Sequence, residues 1–470
     1  MNLTIKNSIS KVMVVSLMAT TLQSCFVAKD YVRPELQETE HLYRTDNLPQ
    51  DSLSMADVSW KDMFTDPHLK QYIEEGLQNN LDIRVAMQQI TAAEAYMKQG
   101  RAGYWPTLNG NASVTHQELS GNSQFGSFFD GGITQFALTA DLSWEADIWG
   151  KIRSNKRAGD ARYLQSVAAH QAVKTQLVSA IATTYYQLLS LDAQLEVTDQ
   201  TIANRESSVQ TIMALKDAGQ VNQVAVDQNV AQYNSAKALK VDLEAAIFKT
   251  ENTLSLLLGK PAISIARSSL NDQQLDAEIK LGVPSTLLSN RPDVIAAEYG
   301  LINAFEMTNV ARSNFYPSLT LTATGGFQSL ELDQWLNTNS LFATVVGGLT
   351  QPIFNQRKIR TQHEVAQAQQ EQALLNFKKV LLTAGNEVSN ALYAYNAETK
   401  KYEYRNNEVE ALRQAEANSE ELLKNGYANY LDLLTARQSA LSAELNTIDN
   451  KLQQLLSIVN LYEALGGGWQ

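Results

Sequence analysis

The sequence predicts an α+β membrane protein: a β-barrel to which each chain gives four strands, continuous with long coiled-coil helices, all built from one internally repeated unit. Three observations predict it. The mature chain is written twice, with landmarks recurring at an offset near 207 residues, as from Lys151 to Lys358. Each copy holds two stretches that alternate apolar and polar residues with period two. Each copy then turns helical and stays so for more than sixty residues without a proline.

At the start of the chain, Lys6 and Lys11 precede an apolar run from Val12 to Leu22, about half of what a membrane-spanning helix needs. Residues 1–24 therefore read as a secretory signal. Leu22-Gln23-Ser24-Cys25 follows and resembles the lipobox of bacterial lipoproteins, in which the cysteine is acylated and becomes the new N-terminus. The competing reading is a plain cleaved signal with an incidental cysteine. Cys25 is the one cysteine of the sequence and can form no internal disulfide, which favours lipid attachment. No other stretch reaches the roughly 18 apolar residues of a transmembrane helix, so entry of the mature chain into a bilayer requires a closed barrel.

The landmarks of the repeat recur in order. Gly103-Tyr104-Trp105-Pro106-Thr107-Leu108 is echoed by Asn314-Phe315-Tyr316-Pro317-Ser318-Leu319, and Asp147 to Arg153 by Pro352 to Arg360. Lys216-Asp217-Ala218-Gly219 matches Leu423-Lys424-Asn425-Gly426, and Leu257-Leu258-Gly259 matches Ala464-Leu465-Gly466. After Pro106, Leu108, Gly110, Ala112 and Val114 share one face against Asn109, Asn111, Ser113 and Thr115. The next strand sets Phe136, Leu138, Ala140, Leu142 and Trp144 against Gln135, Ala137, Thr139, Asp141 and Ser143. In the second copy Leu319, Leu321, Ala323 and Phe327 oppose Thr320, Thr322 and Thr324, and Leu341, Ala343, Val345 and Leu349 line a later strand. A Gly/Ser/Asn/Phe-rich stretch, Gly121 to Gly132, caps the first hairpin.

From Gly150 the helical stretch is long enough for close to 100 Å at about 1.5 Å per residue. Ile181, Leu188, Leu195, Ile202 and Val209 recur every seven residues, as do Leu374, Leu381, Val388, Tyr395, Tyr402 and Val409 in the second copy. A sustained heptad demands supercoiled packing against other helices. Gly219 and Gly426 supply the reversals, and a second helix runs back to Gly259 or Gly466. Heptads alone fit a rod-like coiled coil equally well; the alternating hairpins decide for a barrel.

Four strands cannot close a barrel, which takes about eight. Pooled strands from three chains give twelve and remove every open edge, and trimerisation is the favoured count, although two chains would reach eight.

Composition excludes other classes. The net charge is -12, from 38 Lys+Arg against 50 Asp+Glu, and no basic cluster appears, so no nucleic-acid partner is expected. The five histidines, His41, His68, His116, His170 and His363, are scattered without metal-pair spacing. Gly259-Lys260-Pro261 lacks the upstream glycine of a phosphate loop, and no nucleophile elbow occurs. The chain is not expected to be an enzyme, nor to carry a metal or any cofactor beyond a covalent lipid on Cys25.

The sequence is similar to the TolC-type outer-membrane factors, in their lipoprotein branch associated with RND efflux pumps. Cys25 with Tyr31-Val32-Arg33-Pro34, the duplicated aromatic-Pro-x-Leu strand starts, and the run Val283 to Val294 containing Arg291-Pro292-Asp293, followed by Ala296-Ala297-Glu298, carry the resemblance over essentially the whole mature chain. Pro292 also suits a first helical turn, and Asp293 its positive dipole end. The resemblance implies a homotrimer anchored in the outer membrane, with a short barrel, a helical periplasmic tunnel and a mixed equatorial belt near Val58 to Ile73, Pro261 to Pro284 and the C-terminus. It implies a periplasmic adaptor protein and an inner-membrane RND-type transporter as partners, and a passive exit duct for drugs or other toxic small molecules. On this reading the chain divides into the signal 1–24, a lipidated and equatorial segment 25–85, repeats at 86–259 and 297–466 separated by a linker at 260–296, and a tail 467–470.

The family closes its periplasmic end with helices after the second glycine turn and with rings of aspartate. The resemblance puts Asp432 at one such aspartate, with Leu431 as an apolar ring beside it; Thr435 stands where many relatives carry a second aspartate. Leu423 and Ala428 replace the aromatic and the arginine of a family latch. Asp227, after the first turn, is a candidate acidic partner. The alternatives are a non-conducting structural periplasmic lipoprotein, which would have no use for the hairpins, and a type I protein-secretion duct, against which the lipobox and the Arg291-Pro292-Asp293 run weigh.

Overall fold

The structure, a computed structural model, describes residues 27–35, 42, 55–122, 132–273 and 287–469. In chain order come α1 (Trp60–Met63), α2 (Pro67–Asn79), α3 (Leu81–Ala102), β1 (Thr107–Gln117), β2 (Ile133–Ala146), α4 (Lys151–Asp217), α5 (Gln223–Leu257), α6 (Leu287–Asn290), α7 (Pro292–Ser313), β3 (Ser318–Ser329), β4 (Leu341–Thr350), α8 (Lys358–Lys424) and α9 (Tyr430–Leu465). The duplication is reproduced element by element. α4 and α8 have 67 residues each, starting 207 apart (358 minus 151), and α3 and α7 have 22 each, starting 211 apart (292 minus 81).

The four glycines that end long helices all have positive φ, from 69° at Gly259 to 96° at Gly466. Each lies in the same pair of closing bonds: Gly219 N–H to Lys216 O with Gln220 N–H to Leu215 O, and Gly426 N–H to Leu423 O with Tyr427 N–H to Leu422 O. This double bond pattern satisfies the last helical carbonyls and needs a left-handed residue, hence glycine.

The chain divides into two compact units, each with residues from both copies. The first holds 27–35, Thr91–Gln165 and Ala297–Asn376, so it contains the sheet. Its strands form one antiparallel sheet in the order β1-β2-β3-β4. Thr107 pairs with Ser143 in the first hairpin as Ser318 pairs with Thr350 in the second. β2 and β3, one from each copy, join the hairpins, with Leu142 opposite Ala323 and Trp144 opposite Leu321.

In the second unit the heptad positions are buried at the centre and half-buried towards the glycine turns, with Ile181, Leu188 and Val388 fully inside. Asp66 caps α2 by accepting from His68 N–H at 2.8 Å, and its other oxygen accepts from the Tyr185 hydroxyl and the Gln273 amide, both at 2.8 Å. Burial alone would raise its pKa, but these hydrogen bonds to the charged form outweigh it and hold the carboxyl below the ordinary range.

Candidate functional site

The sheet is amphiphilic across all four strands. The registers align Leu108 with Leu142, Leu142 with Ala323 and Ala323 with Val345 on one face, and Asn109 with Asp141, Asp141 with Thr324 and Thr324 with Thr344 on the other. On the polar face the Thr324 hydroxyl donates to Asp141 at 2.6 Å and the Thr139 hydroxyl at 3.2 Å. The apolar face is exposed, as at Leu108, Val345 and Leu349, and β1 is exposed along its whole length. Among the described residues, β1 and β4 each pair on one side, which leaves two rows of backbone donors and acceptors open.

At the glycine-turn end of the helices, Ile212, Val226, Tyr430 and Leu433 form a small buried core. Tyr430 and Leu433 point inward, so the exposed face of α9 carries Leu431, Asp432 and Thr435. The Asp432 carboxylate accepts from Asn429 N–H at 3.2 Å while Asn429 accepts from Asp432 N–H at 3.1 Å, a reciprocal capping box. Thr435 donates to Leu431 O of its own helix at 2.9 Å. Asp227 is exposed on α5 and accepts from Gln223 at 2.8 Å. Asp227 and Asp432 are not equivalent: with the 207-residue offset, Leu434 corresponds to the former and Ala225 to the latter.

Two arginines missing from the sequence reading brace this end. Arg205 of α4, buried, donates to Gln232 of α5 at 3.0 Å and to Gln438 of α9 at 2.9 Å. Arg437 of α9 donates to Glu416 at 3.2 Å and Glu420 at 3.1 Å on α8, and to Ser208 of α4. Burial, and then Arg437, lower the Arg205 pKa, whereas Lys424 and Arg437 hold the Glu420 carboxyl below its usual range.

Cys25 lies outside the described residues, but the chain two residues on is firmly placed. The strap 27–35 runs antiparallel along α7. Val27 O accepts from Arg312 at 3.3 Å, Lys29 exchanges two bonds with the Asn309 amide, Tyr31 meets Phe305 edge-on at 5.6 Å, and Arg33 forms a bidentate pair with Glu298 at 2.6 Å. Burial, with Glu298 adding, pushes the Tyr31 phenol up to about 12. Ala28 packs against Gly150, at the turn that leaves β2. The strap therefore begins at the sheet end of α7, five residues before β3.

The model of the family described as outer membrane efflux protein matches residues 72–260 and 283–467, more than half of the chain. The chain belongs to the outer membrane efflux protein family. Among its relatives is the solvent efflux pump outer membrane protein SrpC of Pseudomonas putida, 30% identical over 427 residues, 89% of each chain. The cation efflux system protein CusC of Escherichia coli O6:H1 is 27% identical over 455 residues, 96% of this chain and 97% of that one. Among solved structures, the outer-membrane channel OprN superposes with a TM-score of 0.86 at 25% identity, covering 95% of this chain and all of that one. This outer membrane efflux protein is thus an outer-membrane channel component of an efflux system, with the barrel strands and long helical pairs of its family. The sequence motifs that carried the resemblance meet in space: Arg33 of the strap holds Glu298 of α7, and Arg291 closes the end of α9 through Ala464 O at 2.9 Å.

Proposed function

We propose that three copies of this efflux protein pool their sheets into a twelve-stranded barrel, apolar face to lipid and polar face to a water-filled bore, through which small toxic compounds leave the cell unaltered. The single observation that carries this reading is a four-stranded sheet with one exposed apolar face and both edges unpaired: too few strands to close alone, and costly to leave open in hydrocarbon. The helical pairs extend the duct into the periplasm. A periplasmic adaptor and an inner-membrane RND-type transporter supply the cargo and the energy.

Cys25 carries the covalent lipid. The strap supports this, because it ties Val27 to Arg312 and sets Ala28 against Gly150 of the β2–α4 turn, two and three residues from the proposed anchor. Several acyl chains at roughly 0.8 kcal/mol per buried methylene make such an anchor stable.

Leu431, Asp432 and Thr435 form the closing ring, with Asp227 as an outlying acidic group. Three Asp432 carboxylates brought to an axis repel one another and attract cations. Conductance in planar bilayers tests both levels. The purified protein is expected to conduct with cation preference, and Asp432→Ala to conduct more with the preference reduced; a non-conducting protein sinks the channel reading, and an unchanged variant sinks the ring.

A further inference from the structure

The apolar face of the sheet is short. On β2 it runs from Trp144 to Phe136, on β3 from Leu319 to Phe327 and on β4 from Leu349 to Leu341, eight residue steps in each (144 minus 136, 327 minus 319, 349 minus 341). At about 3.4 Å per step and a strand tilt of roughly 35–45°, eight steps climb about 19–22 Å along the membrane normal. The apolar band of an outer-membrane barrel is about 25 Å tall, so the strands fall short by roughly 3–6 Å. At the end away from the helices the same face turns polar, and its polar groups are satisfied locally: His116 and Thr134 hydrogen-bond at 2.8 Å, and the Ser329 hydroxyl accepts from Glu331 N–H at 3.1 Å.

The loop that joins β3 to β4, from Leu330 to Ser340, folds back onto this end of the sheet. Trp335 packs on Phe136 with ring centroids 6.1 Å apart. Its indole N–H is buried and, among the described residues, has no acceptor, so packing holds the ring in place. The loop is also closed on itself. Trp335 N–H donates to Leu332 O at 3.3 Å, Asn337 N–H to Gln334 O at 3.2 Å, and the Ser340 hydroxyl to Gln334 O at 2.7 Å. On this formed surface Leu330, Leu332 and Leu336 are 58%, 63% and 66% exposed. Clustered apolar side chains on a closed turn mark a contact surface.

We infer that this loop is a second lipid-binding surface, whose leucines dip into the acyl chains of the outer leaflet and complete the apolar band that the strands leave short. The inference rests on the barrel reading above. Two observations select lipid as the occupant. Phe136, on which Trp335 rests, belongs to the face that meets hydrocarbon, so the loop continues that surface; a cover over the mouth of the bore would need its anchor on the opposite, polar face. The missing height is also about that of one leucine layer beyond the strand ends. Charge and open backbone groups set the depth. The carboxylates of Glu331 and Asp333, both exposed, cannot enter hydrocarbon, so the loop backbone lies at headgroup level with only the leucine tips below it.

Spin labels on the full-length protein in phospholipid vesicles test this. Leu332→Cys and Leu336→Cys, each carrying a nitroxide, are compared with Leu138→Cys on the lipid face and Asp333→Cys in the loop; the unsubstituted protein gives any background from Cys25. Oxygen concentrates in hydrocarbon and a charged nickel chelate in water, so the ratio of their collision rates reports the medium around each label. The ratio at 332 and 336 is expected within about twofold of that at 138 and about fivefold above that at 333. Adding Trp335→Ala is expected to lower the ratio at 332 by about half, and an unchanged ratio overturns the role of Trp335 as the anchor. A ratio at 332 and 336 no higher than at 333, or exclusion of both reagents as under a protein cover, overturns the lipid seat while 138 still reports lipid. If 138 itself meets nickel as freely as 333, the barrel reading fails instead.

Discussion

Asn80 and Arg291 occupy the same position of the repeated unit, each just before a 22-residue helix, and each donates to one carbonyl at the end of a return helix. Asn80 reaches Leu257 O and Arg291 reaches Ala464 O, both at 2.9 Å, and those carbonyls are themselves equivalent. Beside each lies a left-handed glycine, Gly259 or Gly466, where an added Cβ would strike the carbonyl of Asn79 or Asn290. The first joint is neutral. The second adds Asp293 and Glu387, each 2.6 Å from the Arg291 guanidinium, with Glu463 close by. Duplication has kept the backbone geometry and the single donor that the carbonyl needs, while the surrounding chemistry diverged.

The largest effect expected is at the charged joint. Arg291→Ala removes the guanidinium that two carboxylates and a carbonyl share and should cost about 3 kcal/mol, against about 1–2 kcal/mol for Asn80→Ala, which loses a cap and one hydrogen bond. Unfolding followed by helical circular dichroism measures both; equal losses would remove the distinction between the joints. Next come the glycines. Gly259→Ala and Gly466→Ala meet both an unfavourable φ and a backbone clash, whereas Gly219→Ala and Gly426→Ala, with open space around the added methyl, carry only the conformational cost of about 1–2 kcal/mol. Similar destabilisation at all four would mean that the joints yield where the structure shows them tight.

The smallest effect separates the joints by pH. Burial raises the Glu463 carboxyl above its usual range, whereas the first copy has Leu256 at that position. The folded state therefore holds this proton more tightly than the unfolded chain: the contribution is full below about pH 4.3 and is lost as pH rises through the raised value. Glu463→Gln should lose less thermal stability than the parent between about pH 4 and neutrality. Parallel melting curves across that window would discard the assignment.

Local periods made the strands, long helices and glycine turns legible, since alternation, heptads and left-handed turns are written into neighbouring residues. The β2–β3 pairing, the strap on α7 and the two joints were not legible, because Arg33 with Glu298 or Arg291 with Ala464 joins residues far apart in sequence and no period records them. The Arg291-Pro292-Asp293 run is legible as a family resemblance and as a helix start, while the carbonyl it serves is visible only in the fold. Asp432 was readable as an aspartate after a turn; its part in a capping box depends on Asn429 being the residue that starts α9.

The sheet's two rims are unlike: β1 offers one set of partners and β4 another. In the proposed ring every subunit must give with one side and receive with the other, so a single defective member leaves a gap that its companions cannot bridge. If half of the chains in a cell carried a ruined β4, random mixing would leave only about one ring in eight intact, and such an allele would act dominantly over a healthy one.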